Sequence, residues 1–264
     1  NPIELNHFYE HHHSEDWYKL HISWEDCVRE GRMTREAIED QRRELTELEF
    51  TNLFEAECPV ELEYSVFSSK AILNAQQTRE FDEFEKYLIG VDVARGGRDQ
   101  TVITVVGKTP DCNYSYIEHK ELDSRDVMQI VGVVREIADK YNNPIITVDC
   151  IGLGAGVHDR LSELNYNAVE FVAGRKARTK RFQNLKSDTL FEMASLFKEG
   201  RFYNLPPGSR FVLDLRRWTF EVRSDKQIHV KDPEDKSPDH GDSLMMALFP
   251  ELISQEFKVF EVGL

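Results

Sequence analysis

Between residues 87 and 122 three runs rich in β-branched and aromatic residues follow one another across short breaks: 87–94, 100–106 and 114–122. Strands this close leave no room for a crossover helix, so they are expected to pair as an antiparallel meander. From Ser124 the period changes. A helix to about residue 141 carries Val127, Ile130, Val131, Val134, Ile137 and Ala138 at helical spacing. Residues 144–149 form a short, fully apolar run, which predicts a central parallel strand. A helix to about Leu164, a strand over 168–172 and a long helix over 184–199 come next. Runs 218–222 and 227–231 flank Arg223-Ser224-Asp225-Lys226 and read as a hairpin. A last helix begins near Asp239 with Leu244, Met245, Ala247 and Leu248 on it.

Three antiparallel strands, then helix, strand, helix, strand and further helices is the ribonuclease H-like order. The expected fold is therefore α/β, a mixed sheet flanked by helices over residues 87–264. Residues 1–86 read as a helical N-terminal segment. Ser23 is an expected N-cap with Asp26 three residues on, and Thr34 starts a second helix that reaches about Leu48. This segment holds 21 acidic and 9 basic side chains, a net of −12, and so carries most of the chain's net charge of −15.

Within the sheet pattern two aspartates break the rule that strands avoid charge. Asp92 interrupts Leu88-Ile89-Gly90-Val91-Asp92-Val93-Ala94, and Asp149 ends Ile145-Ile146-Thr147-Val148-Asp149-Cys150. A buried carboxylate is costly unless something compensates it. In the predicted topology the first meander strand lies beside the first parallel strand, so both aspartates sit at one end of the sheet. A helix across that end presents Asp239 or Asp242 from its first turn, where the helix dipole favours an anion. Such a cluster suits Mg²⁺ or Mn²⁺, hard cations that prefer oxygen ligands. Two ions about 4 Å apart would activate a water and stabilise the leaving oxygen of a phosphodiester. The competing structural readings are a helix cap for Asp149, an N-cap for Asp239 or Asp242, and a turn support for Asp99. His240 reads as an outer partner of the metal, an exposed residue or a direct ligand that completes the site in place of Asp239 or Asp242, and Glu121 as solvent-facing or a fourth carboxylate. His11, His12 and His13 are consecutive and cannot all face one ion, so an exposed loop is expected there.

The stretch from Phe171 to Lys186 holds six basic and no acidic residues in this acidic chain. Arg175, Lys176, Arg178, Lys180 and Arg181 lie between a strand and a helix on the expected catalytic side, which points to DNA phosphate contacts rather than base readout. Gly152, Gly154 and Gly156 follow a strand, but the spacing is GxGxG rather than the GxGxxG of dinucleotide sites, so a tight turn or close backbone approach to a nucleic-acid phosphate is the stronger reading. No GxxxxGK[ST] is present, which excludes ATP binding by a P-loop. Cys27, Cys58, Cys112 and Cys150 lack zinc-site spacing and read as reduced thiols. No apolar run approaches a membrane span. The chain opens Asn1-Pro2-Ile3 with no signal-peptide pattern, and is expected to be part of something longer.

Taken together, Gly90-Val91-Asp92-Val93-Ala94-Arg95-Gly96-Gly97-Arg98-Asp99-Gln100-Thr101, Val148-Asp149-Cys150-Ile151-Gly152-Leu153-Gly154-Ala155-Gly156-Val157 and Ser237-Pro238-Asp239-His240-Gly241-Asp242-Ser243-Leu244 resemble the nuclease domain of the large terminase subunit of tailed bacteriophages. Asn1-Pro2, Asn6-His7-Phe8-Tyr9 and Ile22-Ser23-Trp24-Glu25-Asp26 look like the end of that family's ATPase domain and its linker. The resemblance implies a Mg²⁺- or Mn²⁺-dependent endonuclease that cuts concatemeric double-stranded DNA in the host cytoplasm. It also implies the ATPase domain, the small terminase subunit and the portal as partners. By motif match Asp92 and Asp149 are the first two metal ligands. Asp242 is the expected third, since it lies within the helix and is followed by an apolar stretch, with Asp239 the alternative. Two rival classes stand beside this one: a nucleotide-dependent oxidoreductase built on the 152–156 loop, and a non-catalytic DNA-binding or assembly module.

Overall fold

The computed structural model describes residues 18, 20–44, 50, 54–55, 64–94, 100–233 and 237–254. The chain divides into two compact units, residues 1–63 and 64–264. The His11, His12 and His13 run and the predicted turn carrying Asp99 lie outside the described residues.

In the first unit, helix α1 (Trp24–Arg29) starts where the sequence places it. The Asp26 carboxylate accepts hydrogen bonds from the Ser23 N–H at 3.0 Å and the Ser23 hydroxyl at 3.1 Å. Helix α2 (Arg35–Glu44) is capped by Thr34, whose hydroxyl accepts from the Ala37 N–H at 3.2 Å.

The second unit opens with a short helix that the periodicity does not announce, α3 (Ser69–Ala75), capped by the Ser68 hydroxyl. Ala71, Ile72 and Ala75 are buried in the same core as the sheet, so residues 64–86 fold with this unit rather than with the N-terminal segment. The meander follows: β1 (Lys86–Asp92), β2 (Thr101–Lys108) and β3 (Tyr114–Leu122). Then come α4 (Val127–Ala138), β4 (Ile145–Asp149), α5 (Leu153–Glu163), β5 (Ala168–Phe171), α6 (Leu185–Lys198) and β6 (Phe202–Tyr203). A second unannounced helix, α7 (Arg210–Arg217), precedes the hairpin β7 (Thr219–Val222) and β8 (Ile228–Lys231), and α8 (Asp239–Ser254) follows.

The six-stranded sheet has the order β5-β4-β1-β2-β3-β6. β1, β2 and β3 pair antiparallel, while β1 with β4, β4 with β5 and β3 with β6 pair parallel. This is the mixed sheet flanked by helices that the element order predicts. Ile89, Val91, Ile103, Val105, Ile146 and Val148 face α4 and α5, meeting Ile130, Val131, Val134, Val157 and Leu161. Each such side chain contributes ~1.5–3 kcal/mol of transfer free energy when fully buried. The opposite face, with Leu88, Val106 and Tyr114, packs on α3, α6, α7 and α8.

Two glycines make the site end of the sheet possible. Gly90 lies under α8, where a Cβ would come 1.9 Å from the Ser243 carbonyl and 2.3 Å from the Ala247 nitrogen. At Gly154 a Cβ would come 1.7 Å from the Asp149 carbonyl, so α5 seats directly on the end of β4. Gly152 turns the chain at φ +68° just before α5. Among the described residues no helix is long and apolar enough to cross a membrane.

Candidate metal centre and nucleic-acid interface

Asp92 is the last residue of β1 and Asp149 the last of β4. The two strands are parallel neighbours in the register Val91↔Val148, so the aspartates fall side by side at their carboxyl ends. Val91 and Val148 point into the α4–α5 core, and alternation therefore turns the next residue of each strand toward α8. Helix α8 crosses that face over Gly90 and delivers Asp239 and Asp242 in its first turn. Its position is fixed by the Ser243 and Thr104 hydroxyls, 2.7 Å apart. The four aspartates line one cleft of about 300 Å³ with Lys186, Asp232 and Ser237.

Their charges act on one another. Burial pushes the Asp92 carboxyl well above the usual carboxylate range, and repulsion from Asp242, Asp239 and Asp149 adds to it. Asp242 is pushed up to about 6, by burial first, with the Lys186 ammonium pulling it back down. Lys186 stands at the start of α6 and was not singled out by the sequence. Its Nζ lies 2.9 Å from Asp242 Oδ1, donates to Asp242 Oδ2 at 3.0 Å, and donates to Asp232 Oδ1 at 2.7 Å. Burial alone would lower the pKa of this ammonium; Asp242 and Asp232 outweigh it, so it is raised and the lysine stays charged. Trp218 Nε1 donates to the same Asp232 oxygen at 3.0 Å.

The N-cap readings of Asp239 and Asp242 give way to a long-range arrangement. The N–H groups of His240 and Gly241, left open by the helix start, donate to Asp214 Oδ2, at 3.1 and 3.0 Å, from α7. Asp239 Oδ2 accepts from the Gln100 N–H at 3.2 Å, and Asp242 makes no backbone cap. Burial raises the Asp214 carboxyl to about 7, partly offset by the Gly241 N–H. Gly241 is required here, since a Cβ would meet the Trp218 ring at 2.5 Å. His240 is turned away from the cleft and buried, with Nε2 3.0 Å from Glu121 Oε1. Glu121, half-buried, thus faces His240 rather than the aspartates.

The five predicted DNA-contacting residues divide by environment. Arg178 is tied to the unit by its contacts: its Nη2 and Nε donate to the buried Asp188 at 2.8 and 3.1 Å, and its Nη1 to the Leu252 carbonyl at 3.0 Å. Arg175, Lys176, Lys180 and Arg181 are exposed, Arg175 pairing with Glu170 and Arg181 lying over Phe182. Their loop leaves the cleft wall at Ala173, whose carbonyl accepts from the Lys186 N–H at 3.1 Å, so the exposed cations start at the rim of the aspartate cleft.

No protein-family model and no curated protein sequence matches this chain. Solved structures do. The chain is similar to the large terminase nuclease from thermophilic phage G20c, with a TM-score of 0.55 at 15% identity over 70% of this chain and 98% of that one. The same nuclease with bound magnesium gives 0.54 at 15% identity, covering 70% and 96%. The nuclease domain of the large terminase subunit gp2 of bacterial virus Sf6 gives 0.55 at 12% identity, covering 70% and 98%. The chain has the ribonuclease H-like fold of large terminase nuclease domains.

Proposed function

We propose that this chain is a metal-dependent DNA endonuclease of a viral DNA-packaging motor, which cuts concatemeric double-stranded DNA by two-metal-ion phosphodiester hydrolysis. The observation that carries the reading is the convergence of Asp92, Asp149, Asp239 and Asp242 from three separate elements on one cleft. A fold does not gather four carboxylates and raise the pKa of two of them for stability, because each adds repulsion to the others. The donor set is all oxygen, as Mg²⁺ and Mn²⁺ prefer. Asp242 Oδ1 is buried and faces the Lys186 ammonium at 2.9 Å, so a cation would share this carboxylate with the lysine. Asp92, Asp149 and Asp242, with Asp239, would hold the ions; bound there, they would supply an activated water and stabilise the leaving oxygen.

The chain's own residues do the rest. Lys186 offsets part of the negative charge and holds Asp242 in place, so the first turn of α8 is ordered before a cation arrives. Asp214 pins that turn by its backbone. The exposed cations at 175, 176, 180 and 181 would take the phosphate backbone without reading bases. In this reading residues 1–86 are the end of the motor's ATPase domain and its linker, with residues 64–86 docked on the nuclease unit. The ATPase domain, the small subunit and the portal would then be its partners in the host cytoplasm. The oxidoreductase alternative loses its main support, because Gly154 is occupied by the Asp149 carbonyl rather than open to a dinucleotide.

The test is plasmid cleavage with Mn²⁺, Mg²⁺ or EDTA, run beside thermal melts. Wild type is expected to cut with either ion and not with EDTA. Asp92→Asn and Asp149→Asn are expected to be inactive yet folded, with Asp92→Asn melting at or above the wild-type temperature without metal, since one repulsive charge is gone. Cleavage by Asp92→Asn at the wild-type rate would overturn the assignment. A DNA-binding module without catalysis would bind but cut under no condition.

A further inference from the structure

Among the described residues, the group of three His, Cys or carboxylate ligand atoms that all lie within 4.8 Å of one another is not the aspartates but His119, Glu121 and His240. None of the three lines the aspartate cleft. We propose that they form a second, separate metal site, for a borderline transition ion with zinc first, which clamps the start of α8 to β3.

The site exists because of an irregularity in the sheet. In the β2–β3 ladder Val105 faces Glu118 but Val106 faces Tyr116, so Ile117 is an extra residue, a β-bulge. In a regular strand Tyr116 and His119 would point to opposite faces. The bulge resets the alternation: Ile117 packs in the α4–α5 core, while Tyr116, His119 and Glu121 share the face on which α8 lies. His240, buried in the first turn of α8, comes down onto that face and completes the set.

Two of the ligand–ligand distances suit a tetrahedral centre. Ligand atoms about 2.0–2.1 Å from zinc stand about 3.3 Å from each other. Here His240 Nε2 is 3.0 Å and His119 Nε2 3.8 Å from the same oxygen, Glu121 Oε1. The outer partners are also in place. The Tyr116 hydroxyl is 2.6 Å from His119 Nδ1, which leaves Nε2 as the ligating nitrogen. Arg210 Nη1 lies 3.5 Å from Glu121 Oε2, holding that oxygen and leaving Oε1 toward the imidazoles. Phe211 packs edge-on against both imidazole rings and fixes their planes. Side-chain exposure of 31% at His119 and 34% at Glu121 leaves an entry path and a position for a fourth, water ligand. Two imidazoles and one carboxylate select zinc over magnesium, whereas the aspartate cleft has the reverse preference.

The experiment is a zinc titration of the full chain carrying Asp92→Asn and Asp149→Asn, so that binding in the cleft is disabled whatever its function. It is read as bound zinc per chain and as the zinc-induced rise in melting temperature, with excess Mg²⁺ present. One tightly bound zinc and a higher melting temperature are expected. His119→Gln and, separately, Glu121→Gln should remove both effects while leaving the zinc-free melting temperature close to that of the parent; His11, His12 and His13 are present in every variant, so their contribution cancels. Retention of the zinc by His119→Gln and Glu121→Gln overturns the proposal, as does a parent chain that binds none. Either result would reduce the cluster to a hydrogen-bonded anchor for α8. Neither bears on cleavage, which is measured with the aspartates intact.

Discussion

Gly90→Ala should separate the two halves of the aspartate cleft without touching any of the four aspartates. The added Cβ would sit 1.9 Å from the Ser243 carbonyl oxygen and 2.3 Å from the Ala247 nitrogen, and ordinary contact begins at 3.4 Å. Helix α8 must therefore retreat by roughly 1.5 Å from β1, the difference between 3.4 and 1.9. Both opposing atoms are backbone, so no rotamer change relieves the clash. Retreat also strains the 2.7 Å Ser243–Thr104 contact and the Asp214 cap on His240 and Gly241. Overpacking costs ~1–3 kcal/mol, and a backbone-on-backbone clash belongs at the upper end. For a unit of this size that lowers the melting temperature by roughly 6–12 °C. Asp239 and Asp242 would move with the helix while Asp92 and Asp149 stay, and a displacement of this order costs ~10²-fold in rate. Calorimetry and plasmid cleavage with Mn²⁺ measure both effects. Gly132→Ala is the control: nothing lies within 4 Å of a Cβ there, and alanine in the exposed interior of α4 should stabilise by ~0.5–1 kcal/mol. A Gly90→Ala protein that melts at the wild-type temperature and cuts at the wild-type rate would show that α8 does not position the site.

Without metal, the melting temperature should fall as pH rises from 5 to 8. Asp242 at about 6 and Asp214 at about 7 are raised above their unfolded values, so these carboxyls hold more protons in the folded state and lose that stabilisation as each ionises, outweighing the smaller opposite contribution of His119 and His240, which burial holds below the usual imidazole value. Asp214→Asn, whose amide oxygen can still accept from His240 and Gly241, should flatten the upper part of that profile; an unchanged profile would refute its role. Lys186→Met removes the cation facing Asp242 and Asp232, and should destabilise the protein more at pH 8 than at pH 5, read by melts at both. Arg178→Ala breaks a pair with the fully buried Asp188 and should cost ~3 kcal/mol. Alanine at Lys176, Lys180 and Arg181 should leave the melt alone and lower the salt slope of DNA binding by roughly 0.9 for each phosphate no longer neutralised; equal behaviour of the two sets would undo the division. Asp242→Asn should lose both cleavage and the Mn²⁺-induced rise in melting temperature, whereas Asp239→Asn should keep part of each, because Asp239 already accepts from the Gln100 N–H; the opposite ranking would move the third ligand to Asp239.

What the sequence made legible is what local physics records. An aspartate at the end of an apolar run is anomalous on its own terms, so Asp92 and Asp149 stood out, and the meander followed by alternation placed them on adjacent strands. Gly90 left a signal too, a glycine inside a central strand, which marks close backbone approach. Helices α3, with Ala71, Ile72 and Ala75 buried, and α7, with Phe211, Val212 and Leu215 buried, are both too short for periodicity to separate from loop and went unannounced. Missing α7 meant missing Asp214, because a cap supplied from another helix has no sequence offset. Lys186 was hidden in plain view, counted among the basic residues after Phe171. Nothing local distinguishes a lysine that offsets the charge of cleft aspartates from one that faces solvent, and the difference is made by Asp242, which lies 56 positions further along the chain. The bulge at Ile117 is the extreme case: strict alternation predicts the wrong face for either Tyr116 or His119, and only the ladder with β2 shows where the register slips. Sequence therefore disclosed the residues whose own position is costly, and concealed those whose role is to make that position tolerable.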